Sequence, residues 1–120
     1  MSWKWDQSAG ELSRAGNVVS RGYSGFGRGK NNPIMQAAVG VGPIPAGRWR
    51  ITERYDSANV GPYALKLEPV GHAALGRSAF RIHGDSVANP GTASHGCIIL
   101  PRTVRELIWK SGDRDLEVVA

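Results

Sequence analysis

Apolar residues along this chain come in short runs separated by glycine, proline and polar turns, and the runs favour β-forming residue types. Trp3 and Trp5 alternate with polar neighbours, Gln7-Ser8-Ala9-Gly10 has the composition of a turn, and a second short strand runs through Leu12. A hairpin therefore opens the fold. Residues 17–23 predict another strand, whereas residues 24–33 are too glycine-rich and polar for regular structure and are expected as a mobile basic loop. Beyond the turn cluster Gly42-Pro43-Ile44-Pro45-Ala46-Gly47, the residues Trp49, Ile51 and Glu53 share one face of a strand, opposite Arg48, Arg50 and Thr52. Residues 63–67 and 79–82 read as two more strands, the second leading straight into His83. One helix stands out: Pro101 suits a first helical position, Val104, Leu107 and Ile108 recur at helical spacing, and Gly112 supplies the cap. Residues 115–119 alternate again as a closing strand, and no linker or repeat is left over. The pattern predicts one mainly β domain spanning residues 1–120, with one short helix.

Composition agrees with a folded domain. The 120 residues are 41% hydrophobic and 21% charged, as in ordinary globular proteins, and suffice for one core but not two. A monomer is expected. The net charge of +5 is carried by the first 54 residues, which hold eight basic and three acidic side chains, while the remainder holds seven of each. That half should face an anionic partner. Nucleic acid is disfavoured, because no run of adjacent Lys or Arg and no nucleic-acid motif is present. The N-terminal residues lack the basic-then-apolar pattern of a secretory signal, and no stretch is long and apolar enough to span a membrane. The protein is thus expected to be made in the cytoplasm without a signal peptide and to leave it, if at all, by another route.

The single cysteine excludes an internal disulfide and is either core filler or reactive group. Its neighbours favour reactivity. Residues 82–99 combine the Cys97 thiol with two imidazoles, His83 and His95, among several glycines. A cysteine attacks a carbonyl as thiolate, and a nearby imidazole can take its proton and return it to the leaving amine. The 14 positions from His83 to Cys97 let a Gly- and Pro-containing loop bring a strand-end histidine back onto the cysteine. Of the two imidazoles, the strand-end His83 is the expected base. Gly96 lets backbone N–H groups approach a developing oxyanion, which makes Gly96 and Cys97 candidate donors. His83, His95 and Cys97 lack the usual zinc-ligand spacings, so neither metal nor cofactor is expected.

Ile82-His83-Gly84 followed by Ser94-His95-Gly96-Cys97 resembles the active-site signature of L,D-transpeptidase catalytic domains, and Gly42 to Ile51 resembles the same family's proline-glycine turn into an aromatic strand. The likeness is stronger to the small L,D-transpeptidase-like type VI secretion effectors. It is carried by Trp3-Lys4-Trp5, Tyr23-Ser24-Gly25, Lys30-Asn31-Asn32-Pro33 with Met35-Gln36, His83-Gly84-Asp85, Gly96 to Arg102 and Leu116 to Val119. The resemblance implies a β-sandwich catalytic fold, with Cys97 as nucleophile, His83 as base, and Gly84, Ser94, His95 and Gly96 in supporting places. It further implies a thioester acyl-enzyme formed at the bond after meso-diaminopimelate in tetrapeptide stems of peptidoglycan. Water as acceptor would give L,D-carboxypeptidase activity and a D-amino acid would give exchange.

The same resemblance implies a secretion apparatus, action in the periplasm of a target Gram-negative cell, and a periplasmic immunity protein in the producer. In the broader family an Arg or Asn follows one residue after the Gly-Cys-apolar run, but here Ile99 stands there, which weighs against cross-linking of two stems. The basic loop residues Arg28, Lys30, Asn31 and Asn32 are expected to hold the anionic stem. The competing readings are a catalytically inactive peptidoglycan-binding module and an unrelated thiol hydrolase.

Overall fold

Nine strands and one helix follow one another in the computed structural model, which describes residues 2–120. The strands are β1 (Trp3–Asp6), β2 (Glu11–Arg14), β3 (Asn17–Arg21), β4 (Tyr23–Ser24), β5 (Gly47–Ser57), β6 (Gly61–Val70), β7 (Arg81–His83), β8 (Ile98–Ile99) and β9 (Asp115–Val119). The helix α1 (Arg102–Lys110) lies between β8 and β9. All strands join one mixed sheet in the order β3-β2-β1-β9-β5-β6-β7-β8-β4. The fold is mainly β, as the alternating pattern predicts.

The two ends of that order are successive strands: β3 and β4 are separated only by Gly22. The sheet must therefore roll until its edges meet, which is how one hydrogen-bonded sheet produces two facing layers and an enclosed core. Gly22 sits at the seam, with its N–H donating to the Gly10 carbonyl at 2.9 Å. A Cβ there would lie 1.9 Å from the Ile99 carbonyl oxygen, so only glycine permits this approach.

Trp3, Trp5, Leu12, Trp49, Ile51, Leu65, Ile82, Ile98 and Leu116 project inward from the sheet and are fully or almost fully buried, and Ile108 of α1 joins them. Three tryptophans in a chain of this size supply much of the buried apolar area. The β1–β9 pair is parallel, Trp3 opposite Leu116 and Trp5 opposite Val118, so the first and last strands are fastened together in the interior of the sheet.

Several local expectations change. Residues 24–33 are folded: they contain the 3-10 turn Gly27–Gly29, a second turn Pro33–Met35 follows, and Asn32 Oδ1 caps the latter by accepting from the Ile34 N–H at 3.2 Å. Backbone bonds from Phe26 to Val41 and from Asn31 to Ser24 anchor the loop at both ends. Glu53 does not share the buried face of Trp49 and Ile51, because a register shift between Ile51 and Glu53 breaks the alternation. Pro101 stands at the N-cap with extended backbone instead of inside α1. Leu107 is half exposed while Arg105 is buried, since the Arg105 guanidinium reaches the Pro62, Tyr63 and Leu100 carbonyls. The strand expected from residue 79 begins at Arg81, because Ala79 has a left-handed backbone with φ 65°.

Candidate active site

β7 and β8 run side by side in parallel, with Ile82 paired to Ile98 and His83 to Ile99. Ile82 and Ile98 both point into the core. Side chains alternate along a strand, so Arg81 and His83 on β7 and Cys97, one residue before β8, project from the opposite face. There they line an open cleft of about 360 Å³, together with Arg77, Phe80 and Gly96. Nucleophile and base candidates, 14 residues apart in sequence, are thus set into one wall by strand register.

The His83 ring is oriented by backbone. Its Nδ1 lies 2.9 Å from the Gly84 carbonyl oxygen, which can only accept, so Nδ1 carries the proton. In the neutral ring Nε2 is then left with its lone pair. The Cys97 Sγ, partly exposed, donates to the Ala79 carbonyl at 3.6 Å, so the strained backbone of Ala79 aims a carbonyl at the thiol.

Burial pushes the Cys97 thiol above its ordinary range, and this outweighs the Arg81 N–H and the Arg81 and Arg77 charges that favour thiolate. Burial likewise moves the His83 imidazole downward. The hydrogen bond to Gly84 and the Asp85 charge oppose that shift, and the Arg81 and Arg105 charges reinforce it. Both effects favour a neutral thiol beside a neutral imidazole at neutral pH. Such a pair is suited to proton transfer during attack instead of a preformed ion pair.

The loop from His83 to Cys97 is held by side chains that the motif reading does not assign. Asp85 accepts from the Tyr23 hydroxyl at 2.5 Å and from the Ser86 and Gly91 N–H groups at 2.8 and 3.1 Å. Tyr23 Oη in turn accepts from the Ala93 N–H at 2.9 Å. Burial and the bond to Asp85 push the Tyr23 phenol up to about 12, so it remains a donor across the physiological range.

Ser94 is fully buried: its Oγ donates to the Cys97 carbonyl and accepts from the Gly25 and Gly96 N–H groups at 2.8 and 3.1 Å. The buried Ser24 hydroxyl donates to the Gly96 carbonyl at 2.8 Å and accepts from the Ile44 N–H. These bonds bear on the two candidate oxyanion donors differently. The Gly96 N–H is already engaged by Ser94, whereas no bond is made by the Cys97 N–H among the described residues, which leaves it the freer of the two candidate donors.

Gly96 has φ 142°, and a Cβ there would lie 2.6 Å from Arg77 Nη2 and 2.9 Å from the Phe80 ring. Arg77 is the largest omission of the sequence reading. Only 8% exposed, it donates through Nη1 to the Gln36 and Pro43 carbonyls and through Nη2 to the Gly42 and His95 carbonyls, at 2.6 to 3.1 Å. It lies against the Phe80 ring and ties the segment before Cys97 to residues 36–43. The only signal was an arginine near a strand start; its partners are all main-chain carbonyls, which leave no mark in the sequence.

The remaining candidates divide. His95 lines the cleft, but its Nδ1 is bonded to the Gly40 carbonyl at 3.0 Å and its ring leans on Phe26. Arg28, Lys30, Asn31 and Asn32 do not line the cleft around Cys97. Asn31 accepts from the Ser24 N–H, Asn32 donates to the Arg28 carbonyl, and Lys30 lies 4.7 Å over the Tyr23 ring. Arg28 is exposed on its turn. Among the described residues no helix is long and apolar enough to cross a membrane.

Among curated proteins no match is found. Residues 19–119, which hold every residue of the cleft named above, match the Tlde1 domain. The chain therefore belongs to the Tlde1-domain family, which points to a type VI secretion effector toxin that acts on peptidoglycan.

Proposed function

We propose that the protein is a cysteine enzyme that removes or exchanges the terminal D-amino acid of peptidoglycan tetrapeptide stems, cutting after meso-diaminopimelate. The observation that carries this reading is the pairing of β7 with β8, which sets a backbone-oriented imidazole and a thiol on one wall of an open cleft. His83 Nε2 takes the Sγ proton as Cys97 attacks the stem carbonyl, and the Cys97 N–H donates to the oxygen as it gains charge. The imidazolium then protonates the departing amine as the C–N bond breaks, leaving a thioester. Water, deprotonated by His83, attacks that thioester and releases a tripeptide stem and the free thiol. A D-amino acid amine in place of water gives exchange. Among the described residues no carboxylate bonds to His83, and the Gly84 carbonyl serves as orienting group.

In this reading the toxin is delivered by a type VI apparatus, acts in the periplasm of a Gram-negative target, and is neutralised in the producer by a periplasmic immunity protein. The decisive experiment is digestion of disaccharide-tetrapeptide by the folded Cys97→Ala protein beside the native one. Loss of tripeptide and exchange products to background supports the reading. Persistent product would overturn it, and binding without turnover by the native protein would favour a peptidoglycan-binding module.

A further inference from the structure

The cleft contains two arginines in opposite conditions. The Nη1 and Nη2 atoms of Arg77 each bond two carbonyls. Arg81 makes no side-chain hydrogen bond and no ion pair among the described residues, although it is only partly exposed and lines both the catalytic cleft and the groove beyond Ala79 and Phe80. An uncommitted guanidinium in a partly enclosed site is a ready partner for a carboxylate, which it can grip through two parallel N–H bonds.

Its position narrows which carboxylate. Continued by one residue beyond β8, the register that pairs Ile82 with Ile98 places Arg81 across from Cys97, and Arg81 precedes His83 by two residues on the same face. In sheet dimensions those separations are about 5 Å and about 7 Å. The departing amine must lie between the attacked carbon and the imidazole that protonates it. In a terminal amino acid the carboxylate carbon is three bonds from the scissile carbonyl carbon, about 3–4 Å with standard backbone dimensions.

We infer that Arg81 binds the terminal carboxylate of the amino acid that leaves, and in exchange the carboxylate of the amino acid that enters, so that the cleft accepts only stems ending one residue past the scissile bond. This rests on the reaction proposed above. It gives the cleft an anion-binding group although Ile99 occupies the place where the wider family carries Arg or Asn.

The test uses a tetrapeptide stem with a free C-terminal carboxylate and the same stem as its C-terminal amide. The native protein should prefer the acid by about 100-fold in kcat/KM, the range expected for a charge-assisted hydrogen-bonded contact. Arg81→Met should lower kcat/KM for the acid by about that factor and for the amide by less than about threefold, with Arg81→Lys intermediate. Calorimetric titration of the Cys97→Ala protein, with and without Arg81→Met, reads binding apart from chemistry. The acid should bind about tenfold more weakly when Arg81 is replaced, and the amide should not change. Equal losses on both peptides, or unchanged binding of the acid, would overturn the assignment. Turnover without acid preference would overturn the Arg81 site and leave the reaction standing. Acid-selective binding without turnover would do the reverse.

Discussion

Residues 28–32 and residues 77–81 each bring two cationic side chains to the molecule, and the two segments use them in opposite ways. Arg28 and Lys30 sit on and just after a 3-10 turn, one exposed and the other lying over Tyr23, away from the cleft around Cys97. Arg77 and Arg81 flank the left-handed turn at Ala79 and line that cleft, the first bonded through both Nη atoms to carbonyls and the second without a side-chain bond among the described residues. Charge density along the sequence favoured the first segment. What decides placement is which backbone runs beside the nucleophile, and β7 does.

The largest effect should come from breaking the engaged arginine. Arg77→Met removes donors from four carbonyls, three in residues 36–43 and one, that of His95, in the segment that carries Gly96 and Cys97. Leaving buried acceptors unpaired should cost on the order of 3 kcal/mol, a fall of roughly 10 °C in melting temperature for a domain of this size. Because the segment before the cysteine loses its tether, kcat should fall as well, even at temperatures where the variant is folded. Thermal melts combined with single-turnover kinetics on tetrapeptide would check both. A variant that melts normally would show that these bonds are not needed to hold the loop.

A smaller effect concerns pH. His83 must be neutral to accept the Cys97 proton, and burial, with the Arg81 charge assisting, holds its pKa below the ordinary imidazole value. Activity should therefore persist below the pH at which free histidine charges and be lost only as pH falls through the lowered value. Removing the Arg81 charge takes away one cause of the lowering, so in Arg81→Met the acid limb of kcat/KM should move to higher pH. Burial raises the Cys97 thiol, so the alkaline limb should lie above the usual thiol range. An acid limb unmoved by Arg81→Met would show that its charge does not reach the imidazole.

The smallest effect is expected from the other segment. Arg28→Ala combined with Lys30→Ala should leave kcat unchanged and KM within about twofold, since exposed ion pairs contribute only ~0–1 kcal/mol each. Steady-state kinetics at low and high salt would measure it, and a several-fold rise in KM would return substrate binding to the loop.

The sequence made the mainly β fold legible wherever one strand face is buried: Trp3 and Trp5, Ile82, and Leu116 and Val118 alternate with outward neighbours. It also marked His83 and Cys97, because a thiol and an imidazole flanked by glycines are rare enough to stand out. The bulge after Ile51 was hidden, since a register shift depends on the partner strand. The partners of Ser24, Ser94 and Arg77 were hidden for a different reason. Each acts on main-chain groups, and one backbone carbonyl is chemically like another, so nothing nearby in sequence specifies the partner. The inward turn of Arg105 in place of Leu107 belongs to the same class.

The seat of β9 between β1 and β5 has a consequence for how the molecule comes into being. Until residues 115–119 are available, β1, β2 and β3 have no sheet contact with β5 and β6, Trp3 and Trp49 lack their shared neighbour Leu116, and Trp5 lacks Val118. β9 is the strand that joins β1 to β5 in the sheet, and it is the last of the nine in chain order. Completion of the sheet therefore waits for residues 115–119, which follow β7 and β8, the strands that carry the cleft, in the chain.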